Sequence, residues 1–125
     1  MQATEFKVSL IGNSGSGKTA FVEKLNFGHP IIHNDGRKYT LGVDISSYDY
    51  IYENNKFRLN LWDCAGDSRY LGLGKKYILN SDLVMVFGDN KEEFDNWIDN
   101  NTPTIYVNSQ EELNLIMNKI ISALH

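Results

Sequence analysis

Apolar positions along this chain fall into short runs whose spacing switches between the period of a strand and that of a helix, which predicts an α/β order of elements. Phe6 to Ile11 reads as a buried strand, and Phe21, Val22 and Leu25 are spaced for one face of a short helix. The polar, glycine-containing stretch Gly28 to Thr40 breaks all periodicity and reads as a loop. Val43 to Glu53 and Lys56 to Trp62 are two strand-like runs, with Phe57, Leu59 and Leu61 alternating; Asn54-Asn55 between them suits the positive φ angles of a two-residue turn. A second glycine-bearing stretch, Gly66 to Gly74, leads into a weak helix ending near Asn80. Leu83 to Phe87 is a continuous apolar run of the kind found in strands covered on both faces. Glu92 to Asn100 is spaced for a helix using Phe94, Trp97 and Ile98, and Thr104 to Val107 reads as one more strand. The final helix is the clearest: Leu113, Ile116, Met117, Ile120, Ile121 and Leu124 share one face, and Ser109-Gln110-Glu111-Glu112 has the form of a capping box.

A hairpin after the first helix, followed by strands alternating with helices, predicts a mostly parallel sheet with one antiparallel edge strand and helices on both faces. In such a sheet ligands sit at the carboxyl ends of the strands. The 125 residues fit a single domain spanning 1–125, with no linker or internal repeat.

Charge and composition remove several functions. A net charge of −4 supplies no clustered basic footprint, so neither nucleic acid nor an anionic membrane surface is an expected partner. The one cysteine, Cys64, excludes an internal disulfide and fits a reducing compartment. No run approaches the roughly 20 apolar residues of a membrane span. The start Met1-Gln2-Ala3-Thr4-Glu5 does not resemble a signal peptide, and neither end carries a lipidation signal, so a cytoplasmic location without a direct lipid anchor is expected.

The chemistry begins at Gly12-Asn13-Ser14-Gly15-Ser16-Gly17-Lys18-Thr19, a complete phosphate-binding loop of the form G-x-x-x-x-G-K-[ST] directly after a strand. Glycines at 12, 15 and 17 let backbone N–H groups wrap a phosphate too closely for side chains, and the helix that follows turns its positive dipole end to the anion. Lys18 would reach the β- and γ-phosphates and the Thr19 hydroxyl would ligate Mg²⁺. Further along, Leu-Asn-Leu-Trp-Asp-Cys-Ala-Gly (59–66) places Asp63 at the end of an apolar strand and Gly66 three places later. Such an acid can hold Mg²⁺ through water, and such a glycine N–H can report on a γ-phosphate. Thr40-Leu41-Gly42-Val43-Asp44 adds a threonine in a loop just before a strand.

With T-L-G-V-D and W-D-C-A-G in this order, the chain resembles a Ras-superfamily small GTPase, most of all the Rab group, whose members carry T-I-G-V-D/E and W-D-T-A-G at these places. The resemblance covers roughly residues 5 to 88. It implies the three-layer P-loop NTPase fold with a sheet of about five strands, one strand and its helix being absent from a chain this short. It implies that GTP or GDP is bound with Mg²⁺, with Asn13, Ser14, Gly15, Ser16, Gly17, Lys18, Thr19 and Ala20 around the phosphates. Thr19 and Thr40 would ligate the ion, Asp63 would support it, and Gly66 would sense the γ-phosphate. Residues 31–44 and 66–78 would be switches read by effector or regulator proteins.

Two departures bear on function. The family has a glutamine after the D-x-x-G glycine to orient the attacking water; here that position is Asp67, which is shorter, cannot donate an N–H and is negatively charged, so hydrolysis is expected to be slow. Asp67 also suits a helix cap, and the two roles are compatible. The family's guanine motif, N-K-x-D, is not intact. One alignment takes Thr102 to Ser109 as the final strand and has the N-K-x-D strand deleted; a second reads Asn90-Lys91-Glu92-Glu93 as a relaxed motif; a third reads Asn108-Ser109-Gln110-Glu111 there with the lysine lost. Ser81-Asp82 before the apolar run and Phe94 with Trp97 after it favour the first. With the base motif not intact, weak affinity and poor discrimination between guanine and adenine are expected, because selectivity comes from hydrogen bonds that go unmade with the wrong base. Trp62 and Trp97 are expected in the core, Cys64 in inert packing, and His29, His33 and Arg69 at the surface.

Overall fold

A computed structural model describes residues 3–12, 16–27, 43–64, 78–88, 98–99, 101–108 and 111–125. Its elements are β1 (Thr4–Gly12), α1 (Lys18–Phe27), β2 (Val43–Tyr52), β3 (Asn55–Cys64), β4 (Leu83–Phe87), β5 (Thr104–Val107) and α2 (Leu113–Leu124). The strands form one five-stranded sheet in the order β2-β3-β1-β4-β5. β1 runs parallel to β3 and β4, and β4 parallel to β5, while β2 is the antiparallel edge. The expected sheet is therefore the one observed. The proposed helix over Glu92 to Asn100 and the stretch Gly66 to Gly74 lie almost wholly outside the described residues.

Burial explains the order. All five residues of β4 are buried, because it lies between β1 and β5 with side chains packed on both faces. On one face Val8, Leu10, Leu59, Leu61, Met85 and Val107 meet Phe21 of α1 and Ile116 and Ile120 of α2. On the other, Ile11, Cys64, Val84 and Val86 pack with Ile78, and Ile98 leans against them. Both described helices thus cover the same face. Each fully buried aliphatic side chain contributes about 1.5–3 kcal/mol, so this two-sided core holds the strand ends in place.

Three local expectations are corrected. The hairpin turn is Glu53-Asn54, with φ of 50° and 66°, and Tyr52 pairs with Asn55; the turn lies one residue earlier than Asn54-Asn55. Cross-strand pairs select this register: Tyr50 stacks on Phe57 at 5.4 Å, and Arg58 Nε donates to Asp49 Oδ1 at 2.8 Å. The expected capping box does not cap α2, whose N-cap is Glu112 with no side-chain hydrogen bond. Glu111 reaches back instead, its Oε1 accepting from the Asn108 N–H at 2.9 Å while its own N–H donates to the Asn108 carbonyl at 3.0 Å. Trp62 is half-buried rather than core, with the Lys7 ammonium 4.0 Å from its ring centroid. Residues 78–80 form a turn in which Asn80 takes the left-handed conformation (φ 60°), and the weak helix expected before it lies outside the described residues.

Candidate functional site

Three carboxyl ends of strands, those of β1, β3 and β4, converge beside the first turn of α1. Parallel pairing sets Leu10 of β1 opposite Asp63 of β3, and Gly12 opposite Phe87 of β4. At Gly12 (φ 154°) the backbone approach is too close for a side chain: a Cβ there would lie 2.6 Å from the Phe87 carbonyl oxygen and 2.7 Å from Ser16 Oγ. Gly17 (φ 102°) then turns the chain into α1, whose first backbone hydrogen bond runs from the Phe21 N–H to the Gly17 carbonyl at 2.9 Å.

Lys18 is only 7 % exposed, and its ammonium donates to the Gly12 carbonyl at 2.6 Å, folded back along the loop where anions are expected. Thr19 Oγ1 donates to Asp63 Oδ2 at 3.0 Å, and Asp63 is buried. A residue of α1 and the last acidic residue of β3, 44 positions apart, are thereby joined. A hydroxyl and a carboxylate are hard oxygen donors of the kind Mg²⁺ takes. No cluster of three or more His, Cys, Asp or Glu exists among the described residues. Ser16 Oγ is buried without a hydrogen-bond partner in the described structure, a polar atom at the loop whose cost a ligand or water would remove. Cys64, next to Asp63, is fully buried; burial first, then the Asp63 charge, pushes its thiol up to about 12. It is inert packing, as expected.

Of the sequence-derived site residues, Ser16, Gly17, Lys18, Thr19, Ala20 and Asp63 are described and come together at this end of the sheet. Asn13, Ser14, Gly15, Thr40, Gly66 and Asp67 lie outside the described residues, as do the loops 31–42 and 66–77. Beside the loop, a groove runs between α1 and the segment after β5, where Ala20 and Lys24 face Asn108, Glu111 and Leu113. Glu111 is held there by Lys119 of α2, whose ammonium lies 2.9 Å from Oε1 and 2.7 Å from Oε2 and also donates to the Tyr106 carbonyl at 3.1 Å. The Lys119 hydrogen bond, then the Asn108 N–H, hold the Glu111 carboxyl below the usual carboxylate range. The reading of Glu111 as part of a capping box missed this pairing. Its signal was a lysine eight residues on, two turns into the final helix.

The sequence matches the family described as Roc, Ras of Complex, domain of DAPkinase, over residues 7–120. It is 35% identical over 104 residues to the "Probable Rab-related GTPase" of Acanthamoeba polyphaga mimivirus, covering 78% of this chain and 47% of that protein. With the Ras-related protein Rab-30 of Homo sapiens it shares 31% identity over 84 residues, 67% of this chain and 40% of the relative. With the Ras-related protein RABG1 of Arabidopsis thaliana it shares 30% over 105 residues, 79% of this chain and 50% of the relative. The chain thus spans about half the length, or less, of these curated relatives.

Proposed function

Because the chain belongs to the Ras-like small GTPases, on the Rab-related side of that family, we propose that it binds GTP and GDP with Mg²⁺, hydrolyses GTP slowly and acts as a molecular switch. The observation that carries this reading is the Thr19–Asp63 hydrogen bond beside the buried Lys18, which joins the phosphate loop to the acid that ends β3. When bound, Mg²⁺ would neutralise phosphate charge, held by Thr19 and Thr40 directly and by Asp63 in support. Lys18, now on the Gly12 carbonyl, would turn its ammonium to the β- and γ-phosphates, and the loop N–H groups from Asn13 to Thr19 would hold phosphate oxygens, with Ala20 alongside. Gly66 and Thr40 would order residues 66–78 and 31–44 around the γ-phosphate, making the surface that effectors or regulators read.

Slow turnover follows from Asp67, which occupies the position of the water-orienting glutamine and brings negative charge toward an anionic phosphate. The same residue favours a second reading, a nucleotide-binding module without useful turnover that engages the regulators or effectors of Rab proteins. Two measurements separate them. Calorimetric titration of nucleotide-free protein with GDP, GTP, ADP and ATP in Mg²⁺ should give tight binding confined to guanine nucleotides; weak or base-blind binding favours the second reading. Single-turnover GTP hydrolysis should rise by about tenfold or more in Asp67→Gln. An unchanged rate overturns the catalytic part of the proposal.

A further inference from the structure

Among the described residues β5 is the last strand of the sheet and pairs with β4 alone. Parallel pairing decides where its backbone groups point. Val84 donates its N–H to the Pro103 carbonyl at 2.9 Å, and Gly88 donates to the Val107 carbonyl at 3.0 Å. Residues 103, 105 and 107 therefore turn their peptide groups to β4, while Thr104, Tyr106 and, one residue past the strand, Asn108 turn theirs the other way. Such a row of outward N–H and C=O groups is a template on which another chain can add a strand. Tyr106, 37% exposed, sets an aromatic ring on that row.

Two side chains occupy it. The Lys119 ammonium donates to the Tyr106 carbonyl at 3.1 Å, and Glu111 Oε1 accepts from the Asn108 N–H at 2.9 Å. They are also joined to each other, Lys119 Nζ lying 2.9 Å from Oε1 and 2.7 Å from Oε2. In a parallel sheet, a residue of the next strand placed opposite Val107 would donate its N–H to the Tyr106 carbonyl and accept the Asn108 N–H with its own C=O. The ion pair supplies that same donor and that same acceptor from side chains.

We infer that the Lys119–Glu111 pair stands in for one residue of a neighbouring strand and closes the β5 edge, keeping a second copy of this chain from adding to it. Two copies related by a two-fold axis would set Tyr106 opposite Tyr106, each donating its N–H to the other's carbonyl. The Lys119 ammonium stands where the partner's N–H must come. Energetics favour this role over a stabilising one. The two side chains are 42% and 21% exposed, and an ion pair so placed adds little to folding stability. A lysine over the edge and a strand of only four residues are both means by which sheets avoid pairing edge to edge. The role is independent of the nucleotide-binding reading above.

The test is sedimentation velocity of the full chain over a range of concentrations, with amide hydrogen exchange on the same samples, for wild type, Lys119→Met, Glu111→Ala and Lys119→Arg. Wild type should sediment as a monomer. Its Asn108 amide should exchange about tenfold or more slowly than an unprotected amide, and faster in Glu111→Ala. Lys119→Met should dimerise at concentrations about tenfold or more below any at which wild type does. Glu111→Ala should do so less strongly, because Lys119 keeps the Tyr106 carbonyl, and Lys119→Arg, which retains charge and donors, should stay monomeric. In Lys119→Met the Thr104 and Tyr106 amides, which point away from β4, should gain protection as concentration rises. A Lys119→Met protein as monomeric as wild type, or one that associates without protecting those amides, overturns the inference. So does a wild type that itself dimerises through β5. The wild-type Asn108 amide needs no variant to fold, and its exchange at the rate of an unprotected amide overturns the inference by itself.

Discussion

The phosphate-loop end and the far side of this groove are built by different means. At the phosphate end the contacts come from consecutive residues and backbone: Gly12, Gly17 and Lys18 sit within one loop, and the long-range partner Asp63 is delivered by parallel pairing of β1 and β3. On the far side of the groove the polar groups are side chains from the segment after β5 and from α2, Glu111 and Lys119, brought together only by tertiary packing. A phosphate is an anion that any correctly shaped ring of N–H groups can hold, whereas telling one base from another needs individual donors and acceptors in register. The first kind of site can therefore be carried by one contiguous loop, whereas the second depends on residues that only the fold brings together.

The largest expected effect tests whether the two ends are separable. Lys18→Ala removes the cation that would bridge two phosphates, and losing charge-assisted hydrogen bonds of this kind should weaken GDP and GTP binding by about 100-fold. The GDP-to-ADP ratio should stay where it is, because the base does not touch Lys18. Calorimetry on the variant measures both quantities. A changed ratio would mean that phosphate and base recognition are coupled, which breaks the comparison.

A smaller effect is expected from Gly12→Ala, which probes how far the phosphate end depends on backbone shape. The added Cβ would meet the Phe87 carbonyl oxygen at 2.6 Å, and φ of 154° is a conformation that side chains rarely adopt. The nearest clashing atom is strand backbone of β4, which cannot give way as a flexible side chain would. A destabilisation of about 1–3 kcal/mol is expected, measured by chemical denaturation of wild type and variant. A variant as stable as wild type would show that the loop relaxes freely and that the close packing of Gly12 on β4 is incidental.

How much of this was legible in the sequence follows the same division. The phosphate loop was readable because all its determinants are contiguous, and the sheet order followed from where apolar runs and turns fell. Asp63, which the structure joins to Thr19, stood out because a single acid closing an apolar strand is conspicuous. The turn at Glu53-Asn54 was displaced by one residue because three consecutive positions can all enter the left-handed region, and only the Tyr50–Phe57 and Asp49–Arg58 pairs decide among them. Glu111 was misassigned for a related reason. Glu111 and Glu112 are adjacent carboxylates before a helix, and local rules do not say which of them meets a lysine two turns along that helix. Trp62 looked like core because tryptophan generally is, yet its strand position sets it beside Lys7 on the more polar face of the sheet.

The smallest expected effect is a null one at neutral pH, and it asks whether the phosphate end is as closed as its geometry implies. Cys64 stands between Asp63 and the chain leading to Gly66, fully buried, with Sγ donating to the Trp62 carbonyl at 3.5 Å. Burial and the neighbouring Asp63 charge push its thiol from an ordinary value near 9 up to about 12, so at pH 8 the reactive thiolate is scarce in the folded protein. A thiol reagent should therefore label native protein at pH 8 far more slowly than protein unfolded in denaturant. The sign for stability follows from linkage: the folded state keeps its proton where the unfolded state has lost it. The contribution is complete below about pH 9 and declines as pH rises toward 12. Cys64→Ser, whose hydroxyl does not ionise there, should flatten that part of the alkaline profile. Rapid labelling of the native wild type would show instead that the end of β3 opens readily. The Thr19–Asp63 contact would then be a transient arrangement, and the phosphate-loop end would be no more fixed than the far side of the groove.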